Sequence, residues 1–255
     1  MKIATFNTNS IRARLPILTD WLEAERPDVL CLQETKVQDK DFPVSAMESL
    51  GYGAIYRGQK SYNGVAILSR HFMDRVRYHL SGEEEEARYI EARIVDIPII
   101  NVYVPQGFAV GTEKFQYKLD WLQKLMTSLQ SRYDPALPLV LVGDFNVATD
   151  SRDVFDAEEM AGEVGFHPDE QALVGDLTAW GLVDLFRKHH QEGGQYTFWD
   201  YRIPNAFKRK MGWRIDYILA TPALAERCKG AWIDTEPRVR QKPSDHTFLI
   251  AEFDL

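Results

Sequence analysis

Cysteine is almost missing from this sequence. Cys31 and Cys228 are its only two, far apart and without CxxC spacing, which excludes a disulfide framework and a cysteine-built zinc site. Two reduced thiols are expected, Cys31 within the apolar stretch DVLCL. Long apolar runs are missing as well: none approaches the roughly 18 residues that cross a bilayer, and MKIATFNTNS turns polar too early for a secretory signal. A cytoplasmic protein with no membrane association is the expectation. Basic charge is not in excess, since 30 Lys and Arg against 38 Asp and Glu give a net −8; the chain as a whole lacks the electropositive character of most polyanion binders. Internal repeats, low-complexity tracts and linkers are also missing. A 255-residue chain that is 45% hydrophobic and 12% aromatic is therefore read as one domain, 1–255, with a large core, and nothing in it demands more than a monomer.

The average charge conceals a gradient. Between Arg187 and His246 there are 12 basic residues against 7 acidic, a local +5 that leaves −13 elsewhere. A polyanion has a place to dock there, the alternative being Lys and Arg scattered over solvated loops. The acidic run Glu83 to Glu86 reads as a solvated turn.

Short β-rich segments alternate with amphipathic helices. KIATFN, DVLCLQ, YGAIY, GVAILS, YIEARIVDI, IINVYV and LVLVGD read as strands, followed later by YTFWDY, WRIDYILA, GAWID and HTFLIAEF. Leu15 to Glu25 reads as a helix with Pro16 in its first turn and Pro27 as its stop, burying Leu18, Trp21 and Leu22. Thr112 to Arg132 sets Phe115, Leu119, Leu122, Met126 and Leu129 on one stripe, and Pro168 to Trp180 repeats the pattern with Leu173, Leu177 and Trp180, stopped by Gly181. So many strands, apolar on both faces or alternating, with few helices between them, predict two packed sheets with helices outside.

Polar groups close these strands. KIATFN ends in Asn7 with Asn9 two residues on; VLCLQE ends in Glu34; NVYVPQG carries Tyr103; LVGDFN supplies Asp144 and Asn146; WRID supplies Asp216; PSDH supplies Asp245 and His246. Each alone has an ordinary structural use, because Asn and Asp cap and turn chains routinely. Together, always at the end of an apolar strand, they mark a site of the kind that sheet enzymes build at strand ends.

The blocks FNTNS, LQETK, YVPQG, GDFN, WRIDY and PSDH, with TFWDYR between GDFN and WRIDY, resemble the signature blocks of the endonuclease/exonuclease/phosphatase superfamily, in wording nearest its exonuclease III type abasic-site endonucleases. The resemblance runs in family order over essentially the whole chain. It implies a four-layer α/β sandwich of two mixed β-sheets flanked by helices, in agreement with the pattern read from the residues. It also implies a metal-dependent DNA repair phosphodiesterase that incises duplex DNA 5′ to abasic sites and processes blocked 3′ ends by attack of an activated water, with 3′-phosphatase, 3′-phosphodiesterase and 3′ to 5′ exonuclease activities.

By that resemblance Glu34 is the principal ligand of Mg²⁺ or Mn²⁺, ions that prefer hard oxygen donors, with Asn7 close by and Asn9 or Asp245 contributing. Asp144 orients and deprotonates the attacking water, Asn146 donates to a phosphate oxygen or the water, and Tyr103 donates to the phosphate or assists the leaving group. His246 is the alternative base; an imidazole bonded to Asp216 is favoured in its protonated form, which suits stabilising phosphate charge better than taking a proton. For DNA, Phe198, Trp199, Trp213 and Ile215 match positions of an apolar pocket for an extruded abasic sugar, against the alternative that they fill core. Lys36, Gln106, Arg202 and the Lys208–Arg209–Lys210 cluster are available to grip backbone phosphates. Asn63 is a weaker candidate, and His167 is read as a helix-entry residue. The competing readings are a same-fold hydrolase acting on RNA or phosphoinositides, and a non-catalytic binding relative. The second should have lost acidic or imidazole groups from the blocks, yet Glu34, Asp144, Asp216, Asp245 and His246 are all present.

Overall fold

The computed structural model describes residues 1–80, 82 and 86–255, so Glu83 to Glu85 of the acidic run lie outside the described residues. Among the described residues twelve strands run in chain order: β1 (Lys2–Asn7), β2 (Val29–Gln33), β3 (Gly53–Arg57), β4 (Val65–Ser69), β5 (Met73–Arg77), β6 (Tyr89–Ile94), β7 (Ile97–Tyr103), β8 (Val140–Asp144), β9 (Val183–Asp184), β10 (Asp216–Ala220), β11 (Cys228–Asp234) and β12 (Phe248–Phe253). They form two six-stranded mixed sheets, ordered β11-β12-β1-β2-β4-β3 and β5-β6-β7-β8-β10-β9. The helices are α1 (Ile11–Glu25), α2 (Val44–Glu48), α3 (Glu113–Arg132), α4 (Ala157–Met160), α5 (Pro168–Trp180), α6 (Leu185–His189) and α7 (Pro222–Ala225).

Strand periodicity explains the layering. In β2 every residue is buried, and alternate residues serve opposite faces: Val29 and Cys31 join Ile67, Ile99, Val142 and Ile218 in the core between the sheets, while Leu30 and Leu32 meet Leu18, Trp21 and Leu22 of α1. The outer face of the second sheet packs Ile100, Leu141 and Leu219 against Leu122, Leu125 and Leu129 of α3 and Val174 and Leu177 of α5. The result is a helix–sheet–sheet–helix sandwich. A buried amide network locks one sheet onto the other: Gln33 Nε2 donates to Asn101 Oδ1 at 2.7 Å, and Asn101 Nδ2 donates to the carbonyls of Leu32 and Ala66, both at 2.9 Å.

Several element boundaries differ from the sequence reading, each for a physical reason. Helix α1 starts at Ile11, leaving Pro16 in its interior; its entry is held from outside, Ser10 N donating to Glu34 O at 2.8 Å and Ile11 N to Thr35 O at 3.1 Å. The break inside 89–103 falls at Val95 and Asp96, both left-handed (φ 50° and 62°) as a two-residue hairpin turn requires, and Pro98 lies within β7. YTFWDY forms no strand; Phe198 makes only isolated bridges to Trp213 and His246. The edge strand β5, polar and short, carries no apolar signal. In α3 Leu119 is only half-buried and Lys118 lies on the inner face, and in α5 Val174 and Glu170 are buried where Leu173 and Trp180 are half-buried.

Candidate active site

Strand register places the first three groups. Tyr103 pairs with Asp144 across the parallel β7–β8 ladder, and Asp144 pairs with Asp216 across the antiparallel β8–β10 ladder, so three strand ends put their polar residues side by side. Gly143 makes this possible. Its φ is +142°, and a Cβ there would lie 2.0 Å from the Val102 carbonyl oxygen, so only glycine lets β8 deliver Asp144 at this point.

The other sheet closes the site. Asn7 Nδ2 donates to Glu34 Oε1 and to Asp144 Oδ2, each at 2.8 Å, and so joins the ends of β1, β2 and β8. Asn9 N donates to Asn7 Oδ1 at 2.9 Å, and Asn9 Nδ2 donates to Asp245 Oδ1 at 3.0 Å. Lys36 Nζ sits 2.7 Å from Glu34 Oε2 and 2.5 Å from Asn9 Oδ1. His246 Nδ1 contacts Asp216 Oδ2 at 2.8 Å while Nε2 lies 3.7 Å from Asp144 Oδ2. Asn146 N donates to Asp144 Oδ1 at 2.8 Å, and one hydrogen of its side-chain amide is taken by Val104 O at 3.0 Å. Asn9, Glu34, Lys36 and Asn146 all have left-handed φ, an unfavourable backbone for non-glycine residues that clusters at functional sites.

Burial and charge together set the protonation. Burial pushes Asp144 up and the Asp216 and Glu34 carboxylates add to it; opposed by His246 and the Asn7 hydrogen bond, it settles at about 7. For His246 burial works against the charged ring, but Asp216 and Asp144 outweigh it and raise the imidazole to about 10. Burial also acts against the charged form of Glu34, yet Lys36, Asn7 and His246 together hold it below the usual carboxylate range. Tyr103 is kept firmly protonated by burial and by the Glu34 and Asp144 carboxylates. The arrangement thus sets a carboxyl that titrates near neutral pH beside a charged imidazole.

The donor set fits a divalent cation. The Glu34, Asp144 and Asp245 carboxylates, linked through the amides of Asn7 and Asn9, supply hard oxygens, and the side chains of Asp144, Asp216 and His246 lie with their polar atoms within 4.8 Å of one another. Asp216 Oδ1 is buried with no hydrogen-bond partner among the described residues. Between Glu34 Oε2 and Asn9 Oδ1 stands the Lys36 ammonium, so the place between those two oxygens already accommodates positive charge.

The residues read from the sequence for DNA divide. Phe198, Trp213 and Ile215 do come together, with Val154, Phe166 and Ala148, and the Phe198 ring lies 4.9 Å from that of His246. Trp199 does not join them; it is 4% exposed and packs with Tyr196, Ala206 and Phe207 beneath the 201–210 loop. Ile215 is also 4% exposed, so it supports the cluster from below. Lys36 and exposed Gln106 lie at the rim, and Lys208, Arg209 and Lys210 are exposed on the 201–210 loop. Arg202 extends into solvent but is forked onto Asp200 at 2.6 Å. Arg187 and Arg214, counted in the basic segment, are instead buried on Asp153, which shrinks the basic surface. His167 caps α5, its Nδ1 accepting from Asp169 N at 3.2 Å, and buried Asn63 donates to Gln59 at 3.1 Å.

Four supporting residues escaped the sequence reading. Thr197 Oγ1 accepts from Ile215 N and Asp216 N, each at 3.2 Å; Ser244 Oγ donates to Asn7 O at 2.8 Å and accepts from His246 N at 3.2 Å. Both lie within the singled-out stretches TFWDYR and PSDH, but a hydroxyl there carries no mark of the backbone groups it binds. Lys118 and Glu170 did leave a signal, a charge lying on the inner stripe of an amphipathic helix.

Known proteins share this construction. The Haemophilus influenzae exodeoxyribonuclease III is 34% identical over 267 residues, covering 99% of this chain and 100% of its own. The structure of an AP endonuclease from Archaeoglobus fulgidus superposes with a TM-score of 0.97 at 46% identity, and a 3′ phosphatase from Neisseria, bound to a product DNA hairpin, with 0.95 at 38%, both chains covered in full in each case. The sequence model of the endonuclease/exonuclease/phosphatase family matches residues 4–246, from the third residue of β1 through Asp245 and His246, so that every strand end of the site falls inside the match. This chain belongs to the endonuclease/exonuclease/phosphatase family.

Proposed function

We infer that this chain is a metal-dependent DNA repair phosphodiesterase that incises duplex DNA 5′ to abasic sites and trims blocked 3′ ends. The observation that carries the reading is the pairing at the strand ends: Asp144, raised to about 7, faces Nε2 of a His246 that Asp216 keeps charged. One carboxylate able to take a proton at neutral pH and one fixed N–H able to meet an anion are what phosphodiester hydrolysis asks of a protein.

In this reading a water lodged against Asp144 gives its proton to the carboxylate as its oxygen attacks phosphorus. His246 Nε2–H, the Tyr103 hydroxyl and the second amide hydrogen of Asn146 donate to the phosphoryl oxygens as charge gathers there. The P–O3′ bond breaks, the departing O3′ takes a proton from solvent and Asp144 returns its proton to solvent, leaving a 3′-hydroxyl and a 5′-phosphate. Asp216 holds the imidazole in its donating form, and Asn7 spaces Glu34 from Asp144. Glu34, with Asn7, Asn9 and Asp245 at hand, would hold Mg²⁺ or Mn²⁺, which supplies Lewis-acid stabilisation of the phosphate. Phe198 and Trp213 border the site on one side, where an abasic sugar, cheap to extrude for want of a base, has apolar surface to meet.

Two end-labelled duplexes test the function, one with a single abasic-site analogue and one with a recessed 3′-phosphate, each with Mg²⁺ and with EDTA. Mg²⁺-dependent incision 5′ to the lesion is the expected result. Release of the 3′-phosphate alone would restrict the enzyme to 3′ ends, and failure on both would overturn the reading.

A further inference from the structure

Away from the reacting groups the fold buries a lysine completely. Lys118 of α3 and Glu170 in the first turn of α5 are both 0% exposed and form an ion pair. Such a pair adds little stability by itself, because desolvating both charges takes back most of their attraction. Its use shows in where the remaining polar atoms go. Lys118 Nζ donates to Asn146 O at 2.7 Å and to Gln106 O at 3.3 Å. Glu170 Oε2 accepts from Gly165 N at 2.7 Å and from His167 N at 3.2 Å. Three loops, 104–107 after β7, 145–148 after β8 and 165–167 before α5, are thereby tied at one point, and Ala148 N reinforces the knot by donating to Gly165 O at 2.7 Å. The lysine side chain passes Gly107, where a Cβ would come within 3.0 Å of Lys118 Cδ.

We propose that the Lys118–Glu170 pair is a positioning device for hydrolysis, fixing the Asn146 segment so that its N–H stays aimed at Asp144. Asn146 adopts φ 53°, a left-handed conformation that asparagine tolerates better than most non-glycine residues and that its surroundings here select. Three tethers do so: the carbonyl is pinned by Lys118, the side-chain amide by Val104 O, and the N–H by Asp144 Oδ1. Of these only the first comes from outside the site. Without it the segment can relax, and Asp144 loses the donor that orients one of its oxygens, leaving the base in place but no longer held in line with the phosphate. The proposal rests on the reading of Asp144 as the base.

The test compares two double variants with the wild type. Lys118→Met with Glu170→Gln removes both charges, so that no uncompensated ion is left in the core, and it keeps an acceptor for Gly165 and His167. Lys118→Gln with Glu170→Gln restores an amide donor for Asn146 O. The first variant is expected to lose about 10- to 100-fold in kcat, the size of effect that misplacing a catalytic group produces, with KM for the abasic duplex within about twofold of wild type. The second is expected to recover much of that kcat at a similar melting temperature. Equal turnover in all three proteins, or equal losses in both variants, would overturn the positioning role. Amide hydrogen exchange supplies a readout independent of turnover: residues 104–107, 145–148 and 165–167 should exchange faster in the Met variant while the strands stay protected. If the wild type itself fails to incise, the reading of the site falls and exchange alone judges the clamp; unchanged exchange in these loops would refute it.

Discussion

Asp144 is fully buried yet carries two hydrogen-bond donors, Asn7 Nδ2 and Asn146 N, and faces a charged imidazole. That balance separates its role in turnover from its role in packing. Asp144→Asn loses an acceptor for one of the two donors, a cost of about 1 kcal/mol, and in exchange no longer buries a titrating acid. The melting temperature and the affinity for abasic duplex should therefore stay near wild type, while single-turnover incision falls by about 10²- to 10⁴-fold, the range expected when a general base is removed. Incision within a few-fold of wild type would move the base elsewhere. At this scale much was legible in the sequence: Asn7, Glu34, Tyr103, Asp144, Asn146, Asp216, Asp245 and His246 each lie at or beside an end of an apolar strand, and the fold brings them together. What was not legible is which side of a strand an aromatic takes once the strand dissolves into a loop, and so Trp199 was grouped with Phe198 although it turns the other way.

Elements hold this site through backbone constraints that the residue types advertise only in part. The glycine of GDFN is one. Gly143→Ala would force β8 away from β7, because the new methyl falls on the Val102 carbonyl at positive φ; a loss of roughly 3 kcal/mol in urea unfolding is expected, at the upper end for a single substitution. A change below about 0.5 kcal/mol, the range of an ordinary surface substitution, would show that β8 tolerates displacement. Asp150 is another. It caps the turn Ser151–Asp153, which delivers Asp153 to Arg214, and hydrogen bonds from Arg152 hold its carboxyl down at about 2. A carboxyl lowered in the folded state contributes stability that is present above its unfolded value near 3.8 and is lost as pH falls toward 2. The stability gap between wild type and Asp150→Asn should therefore narrow from pH 5 to pH 2.5, and a gap independent of pH would exclude the linkage. The inner stripes of α3 and α5 include Lys118 and Val174 where the apolar periodicity points to Leu119 and Leu173, because the buried Lys118–Glu170 pair lies on those faces.

For the whole molecule the question is where a polyanion lies on a chain of net charge −8. Once Arg187 and Arg214 are set aside as internal partners of Asp153, the exposed cations that remain include Lys208, Arg209 and Lys210 on the loop above Trp199. Reversing these three charges should weaken binding to any duplex sequence and reduce the slope of log K against log salt by about 2 to 3, as the loss of that many phosphate contacts requires. An unaltered slope would place the footprint elsewhere. The sandwich was legible from strands buried on both faces, whereas the basic surface was overcounted, since a sequence does not say which arginines turn inward. The central claim, hydrolysis of a phosphodiester by a water that Asp144 activates, is met most directly by incising the abasic-analogue duplex in H₂¹⁸O with Mg²⁺ and weighing the products. One ¹⁸O on the 5′-phosphate and none on the 3′-hydroxyl is the predicted result; cleavage that leaves both products unlabelled would contradict the account.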